Sequence, residues 1–351
     1  MIENYISNSK NSKEKNNIYC KKKFYLLIII FEQVLILFIS YTYLYNIGKE
    51  YKHYNKNNFK INLDYEENKF AIIRSNCRTC GLFSFYNTFL YCLQNYIINN
   101  YIPIIDIEAF PNVFNGFKNE NIKNNSWEYL FNQPFGYELA NVIKKAKKIE
   151  YINCTRREHS SPSYTNFYKK SIAIDYWHYF VDKYIPIKNE IIKLKNKITK
   201  KLFIDSNNIL GILIRGTDYI ARRPKEHPIP PEPDIVIQDI KEMYKKYHYD
   251  YLFITTEDTI IRNKFINNFG QKLKFILPKN IIKYDYKKKY LLSYNNNIKG
   301  NLENIKIYLI SILILSNCID IIASRTNGAV AAFIFSKGFR NSKIYYLGIY
   351  S

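Results

Sequence analysis

The sequence predicts an α/β protein whose body has two halves, each a parallel sheet layered with helices, behind a single membrane-spanning segment. Three observations predict it. From residue 70 to the C-terminus, short apolar runs rich in β-branched residues alternate with helical patterns, as expected where helices cover both faces of parallel sheets. Clusters of Arg, Asp, Ser, Thr and Gly stand directly after several of those runs, at the strand ends where open α/β sheets bind ligands. An apolar stretch of membrane length precedes the whole pattern.

That stretch, residues 24–45, reads FYLLIIIFEQVLILFISYTYLY and matches the ~20 residues needed to cross a bilayer. Its polar interruption is Glu32-Gln33. An acidic residue at depth costs about 2.5–3.5 kcal/mol, whereas each surrounding Leu, Ile, Val or Phe returns about 0.3–0.6 kcal/mol, so insertion stays favourable. Tyr41, Tyr43 and Tyr45 form an aromatic belt on one side, and Lys10, Lys13, Lys15 and Lys21 to Lys23 lie on the other. The positive-inside rule then places residues 1–23 in the cytosol as a basic tail and the body across the membrane, a type II arrangement. No small-residue cleavage site follows the run. Residues 46–67 are Lys- and Asn-rich and read as a stem.

The first half spans residues 68–204. FAIIRS at 70–75 reads as a strand, Leu82, Phe85, Phe89 and Leu93 follow at helical spacing, and YIPIID at 101–106 is the next strand, which makes a βαβ unit. A helical pattern at 136–148 leads into IEYINC at 149–154, and helical stretches cover about 166–203. The second half, 205–351, restarts with LGILIRG at 210–216. A Pro-rich loop, a helix near 234–247, YLFITT at 251–256, a helix to Asn268 and KLKFIL at 272–277 come next. After a Lys- and Asn-rich loop at 279–300, an apolar helix near 301–316 precedes IDIIAS at 319–324, a helix at 327–336 and IYYLG at 344–348. Both halves are Rossmann-like.

The formal charge of +22 comes mostly from Lys scattered among Asn, Ile and Tyr along the whole chain. It therefore describes a solvated surface and gives no ground for a nucleic-acid partner. The six Cys, at 20, 77, 80, 92, 154 and 318, are too few and too dispersed for a disulfide framework. Cys77 and Cys80 form a CxxC, for which packing is the default. Zinc lacks a second ligand pair, and a redox role draws support from Arg74 and Arg78, which would lower a thiol pKa. Asn124 and Asn153 head glycosylation sequons in a chain rich enough in Asn to produce them by chance.

Three strand ends carry the candidate chemistry. In ILIRGTDYI, Arg215 offers a planar fork of donors to phosphate oxygens, Gly216 permits close backbone approach, and Asp218 can hold the Arg or an acceptor hydroxyl;. In TTEDTIIRNKF, residues 255–258 end a strand and start a helix, so Asp258 is equally a capping residue;. In SRTNGAVAAFIF, Ser324, Arg325, Thr326, Asn327 and Gly328 precede a helix of small residues, a ready pyrophosphate site. No Asp-x-Asp follows a strand; Asp106-Ile107-Glu108 in the first half comes nearest.

Together these segments resemble the fucosyltransferase superfamily, which includes α1,6-fucosyltransferases, bacterial nodulation fucosyltransferases and protein O-fucosyltransferases. The resemblance runs from about Ala71 to the C-terminus. It rests on Arg215-Gly216-Thr217-Asp218 followed by His227-Pro228-Ile229, on Thr256-Glu257-Asp258, and on residues 324–330. Gly81-Leu82-Phe83-Ser84 and Trp127-Glu128-Tyr129 with Gln133-Pro134 add to it near the front. It implies the two-domain GT-B architecture and inverting transfer from GDP-fucose to a glycan acceptor, with no metal ion and no other cofactor. Arg215 would neutralise the β-phosphate, and Asp218 or Glu226 would accept the acceptor's proton. Gly216, Thr217, His227, Asp258, Ser324, Arg325, Thr326, Asn327 and Gly328 would line the donor. Gly216 stands where many members carry a second Arg, Leu213 where a His often begins the motif, and Arg223 where some carry a carboxylate. The body would face a Golgi-like lumen in a eukaryote and the cytoplasm in a bacterium. Another nucleotide-sugar transferase on the same fold is the neighbouring reading, and a non-catalytic membrane-anchored binder of glycans or anionic polymers is the reading from a different class.

Overall fold

The computed structural model describes residues 65–78, 80–115, 125–154, 171–204, 206–216, 219–220, 223–276 and 298–351. The basic tail, the expected span at 24–45 and nearly all of the stem lie outside them, as do Asn124, Thr217 and Asp218. Among the described residues, no helix is long and apolar enough to cross a membrane.

The first sheet contains β1 (Lys69–Arg74), β2 (Ile102–Asp106) and β3 (Lys148–Asn153), all parallel, in the order β2-β1-β3. Phe70 to Ile73 of β1 have no exposed surface, because a central parallel strand is covered on both faces. Helix α1 (Leu82–Ile98) crosses between β1 and β2, burying Leu82, Phe85, Tyr86, Phe89 and Leu93. A short helix, α2 (Leu139–Lys145), leads into β3. The helical stretches expected over about 166–203 are α3 (Ser171–Tyr184) and α4 (Asn189–Phe203). Pro186 lies between them, and proline's missing N–H and fixed φ break a helix interior.

The dispersed cysteines pair, contrary to expectation. Cys77 bonds Cys80, and Cys92 bonds Cys154, while Cys318 is free and buried. The second pair is 62 residues apart in sequence. It meets because β3 lies beside β1 and α1 packs over that sheet, so spacing alone gave no sign of it.

The second sheet holds β4 (Ile209–Leu213), β5 (Tyr251–Thr255), β6 (Leu273–Lys274), β7 (Asp320–Ser324) and β8 (Asn341–Tyr345), again all parallel. Their order is β6-β5-β4-β7-β8. The chain winds outward from β4 to β6, returns through α7 (Ile298–Leu315) and continues on the other side, so the topological switch point falls between β4 and β7;. Leu210, Ile212 and Ile214 pack against Val236 and Ile240 of α5 (Pro233–Tyr247) and Phe265 of α6 (Thr259–Phe269). Strand β8 begins three residues before the apolar run that predicted it, because Ser342 and Lys343 are exposed on an edge strand. Strand β6 keeps only two residues of KLKFIL.

All strands of the first sheet precede residue 154 and all strands of the second follow residue 208, yet Ile61–Ser351 forms one compact unit. Helix α8 (Asn327–Phe335), which follows β7, joins the halves. It is nearly all apolar, with Gly328 to Ile334 buried, and it packs against α7 of its own half and against α1 and α3 of the other.

Candidate functional site at the switch point

Because β4 and β7 are neighbours, the turns that follow them must meet at the carboxyl edge of the sheet. The backbone N–H of Arg215 lies 3.4 Å from Ser324 Oγ and donates to it. The first and third sequence clusters, 109 residues apart, therefore form one place. On the other flank β5 delivers Glu257, whose Oε1 lies 3.3 Å from Arg215 Nε and accepts from the Gly216 N–H at 3.0 Å. The Glu257 carboxylate thus hydrogen-bonds the backbone of this turn and forms an ion pair with its guanidinium;. The guanidinium also sits over the Tyr219 ring, 4.9 Å from its centroid.

Asp258 has a different job. Its Oδ1 caps α6, accepting from the Ile260 and Ile261 N–H groups at 2.8 and 3.1 Å, and the residue is 3 % exposed. It packs against Gly216 of the Arg215 turn, and Glu257 forms an ion pair with the guanidinium. The contact of Glu257 with Arg215 cannot be read from spacing in the sequence, because only the pairing of β4 with β5 brings the two together.

The third cluster opens α8. Thr326 caps the helix by accepting from Ala329 N–H at 3.2 Å, so its hydroxyl oxygen is committed to its own helix. Ser324 is 2 % exposed. Arg325 lies over the Tyr346 ring at 5.4 Å. Asn327 is held from the first half, because Asn87 Nδ2 of α1 donates toward its carbonyl and its Oδ1 at 3.4 and 3.3 Å. Asn87 is 3 % exposed and was not among the residues the sequence suggested. Gly328 is there for space. A Cβ at that position would collide with the hydroxyl of Tyr308 on α7, a second residue the sequence left unmarked.

The Pro-rich loop itself reaches the same edge. His227 stacks edge-on against Tyr219, ring centroids 5.4 Å apart, so Arg215, Tyr219 and His227 form a row. Its Nδ1 lies 2.9 Å from the Lys225 carbonyl. Glu226 is exposed, has a left-handed φ of 64°, and donates its N–H to the Tyr350 carbonyl at 2.9 Å. Pro228 bridges Ile349, tying this loop to the C-terminal segment. Thr217 and Asp218 lie outside the described residues.

At the first sheet's carboxyl edge, Arg74 Nε pairs with Asp106 Oδ2 at 2.8 Å, and the Arg74 guanidinium lies 4.3 Å from the Tyr151 ring centroid. Glu108 Oε1 accepts from Ser126 N–H at 2.8 Å, and burial pushes its carboxyl above the usual range. Among the described residues, no three His, Cys, Asp or Glu side chains are grouped to hold a metal ion.

The fold and this edge define a doubly wound α/β protein with a clamped guanidinium at its switch point. No family model and no curated protein matches the chain. Solved structures do. The chain is similar to NodZ alpha-1,6-fucosyltransferase soaked with GDP-fucose, at 13 % identity over 77 % of this chain and 93 % of that one, TM-score 0.44. It is similar to fucosyltransferase NodZ from Bradyrhizobium at 12 % identity, over 76 % and 92 %, TM-score 0.43. For POFUT1 in complex with GDP-fucose the values are 9 % identity, 80 % and 98 %, and TM-score 0.49.

Proposed function

We propose that the chain is a glycosyltransferase of the GT-B type that transfers fucose from GDP-fucose to a glycan acceptor, with inversion and without a metal ion. One observation carries this reading: Arg215 is held at the switch point by Glu257 at 3.3 Å, with its backbone beside Ser324 at 3.4 Å. When a sugar leaves a nucleoside diphosphate, negative charge grows on the β-phosphate. A guanidinium oriented in advance stabilises that charge without reorganising, an effect worth about 2.7–4 kcal/mol for one such donor. The first turn of α8 adds backbone N–H groups and the positive end of a helix dipole.

In the reaction the acceptor hydroxyl oxygen forms a bond to the anomeric carbon as the bond from that carbon to the phosphate oxygen breaks. The electron pair stays on the diphosphate, and the hydroxyl proton passes to a carboxylate, Asp218 or Glu226. Residues 205–351 hold the donor, and residues 68–204 provide the acceptor side. The body is tethered by residues 24–45 and lies across the membrane from the basic tail. The two disulfides favour that placement, since they persist in oxidising compartments;. Protease protection of the body in sealed vesicles checks it; digestion without detergent would place the body on the opposite side.

Release of GDP from GDP-fucose, compared with UDP- and CMP-sugars, tests the activity. Turnover of GDP-fucose that falls about 100-fold or more in Arg215→Ala supports the reading. Turnover of a different donor assigns another nucleotide-sugar transferase, and glycan binding by folded protein without any turnover leaves a binder.

A further inference from the structure

The hydroxyl of Tyr308 lies against the Cα of Gly328, close enough that a Cβ there would collide with it. This contact is at the first turn of α8, two residues beyond the Thr326 cap. The ring packs against the other half: Phe83 of α1 lies edge-on to it with centroids 5.3 Å apart, and Phe83 in turn meets Phe335 of α8 at 6.3 Å. A Tyr whose ring is wedged this way presents its hydroxyl in a fixed position at low entropic cost. Among the described residues that hydroxyl has no hydrogen-bond partner. Tyr308 itself is half-buried, and one strand from Arg215, Thr255 Oγ1 is buried without a hydrogen-bond partner among the described residues. A hydroxyl at the first turn of α8 and an unpartnered one at the end of β5 each suit a polar ligand at the carboxyl edge of this sheet;.

We propose that Tyr308 contacts the donor: beside Gly328, its hydroxyl donates a hydrogen bond to the diphosphate that Arg215 neutralises. This assignment rests on the transferase reading above. Burial pushes the Tyr308 hydroxyl well above its ordinary pKa; the Arg215 charge opposes that rise, and Glu257 and Tyr219 add to it. The hydroxyl therefore keeps its proton at neutral pH and serves as a donor, not as the base. Gly328 acquires a reason: any side chain there would displace the hydroxyl from the helix N-terminus.

Tyr308→Phe keeps the wedged ring and removes only the donor. It is expected to weaken GDP binding, measured by calorimetry, and to lower kcat/KM for GDP-fucose, each by about 10- to 100-fold, with Tm unchanged. Gly328→Ala is expected to lower Tm and GDP affinity in the parent protein but to cost little further in the Tyr308→Phe background, where the colliding oxygen is gone. The discriminating readout is Tyr308→Phe alone, because a purely packing role for the hydroxyl would leave GDP affinity and kcat/KM unchanged at constant Tm. If Tyr308→Phe binds GDP and turns over donor within twofold of the parent while Arg215→Ala has lost turnover, the assignment is overturned and the transferase reading stands. If Arg215→Ala is unaffected, or the parent neither binds GDP nor turns over GDP-fucose, that reading fails and this assignment with it.

Discussion

A Cβ on Gly216 would stand 2.6 Å from Asp258 Oδ2, 2.7 Å from Asp258 Cβ and 2.8 Å from Ile261 Cδ1. Asp258 cannot retreat without releasing the cap of α6, so the glycine is needed for space. Gly216→Ala is expected to destabilise the fold by about 1–3 kcal/mol through overpacking, and to lower GDP release as well, because the Arg215 turn moves with it. Thermal unfolding and a GDP-release assay on one preparation check both; an unchanged Tm would contradict the close packing. This departure from the resembling family was visible in the sequence as a missing second Arg, but its reason was not. The distance to Asp258 exists only once β4 and β5 are paired. Arg215 itself was legible, because a charged, Gly-containing turn after an apolar run has few structural uses. Glu257 and Tyr308 were not: one looked like part of a helix start, the other like one more apolar position in α7.

Among the elements, strands β1 to β5 and β7 and the helices that cover them were readable, since buried parallel strands are short continuous apolar runs. The rest follows long-range contacts that sequence spacing does not encode. The Cys92–Cys154 bond closes a loop of 62 residues between α1 and the end of β3, and constraining a loop of that size in the unfolded chain is worth about 2–4 kcal/mol. Cys92→Ala is expected to cost that much by denaturant unfolding, with a smaller cost for Cys77→Ala, whose loop is short. At the start of β7, Asp320 is fully buried and receives Arg340 Nη2 at 2.6 Å, Asn341 N–H at 2.8 Å and the Tyr249 hydroxyl. Burial by itself would raise this carboxyl, but the Arg340, Tyr249 and Asn341 bonds outweigh it and hold Asp320 below the usual range. Its stabilising contribution is therefore present above the unfolded carboxylate pKa of about 3.9 and is lost as the pH falls through the lower folded value. Asp320→Asn should destabilise by about 2–3 kcal/mol at pH 7 and flatten the acid limb of the stability profile below pH 4. An unaltered acid limb would show that other carboxylates govern it.

For the molecule as a whole, the two sheets are joined by apolar α8 and by polar ties. Asn87 reaches Asn327, and Tyr129 of the first half bonds Glu303 and Lys306 of α7. The two-half architecture was legible because strand-and-helix alternation restarts after residue 205. The way the halves touch was not, since α8 reads simply as a helix of small residues. Its first turn carries the donor site in this account, and its apolar body carries the contact between halves, so the orientation of Arg215 depends on both. A crystal structure of the body with GDP tests this most directly. The β-phosphate is expected about 2.7–3.2 Å from the Arg215 guanidinium and against the first turn of α8, with Glu257 still paired to the Arg. A β-phosphate bound elsewhere, or an Arg215 side chain turned away from it, would contradict the account.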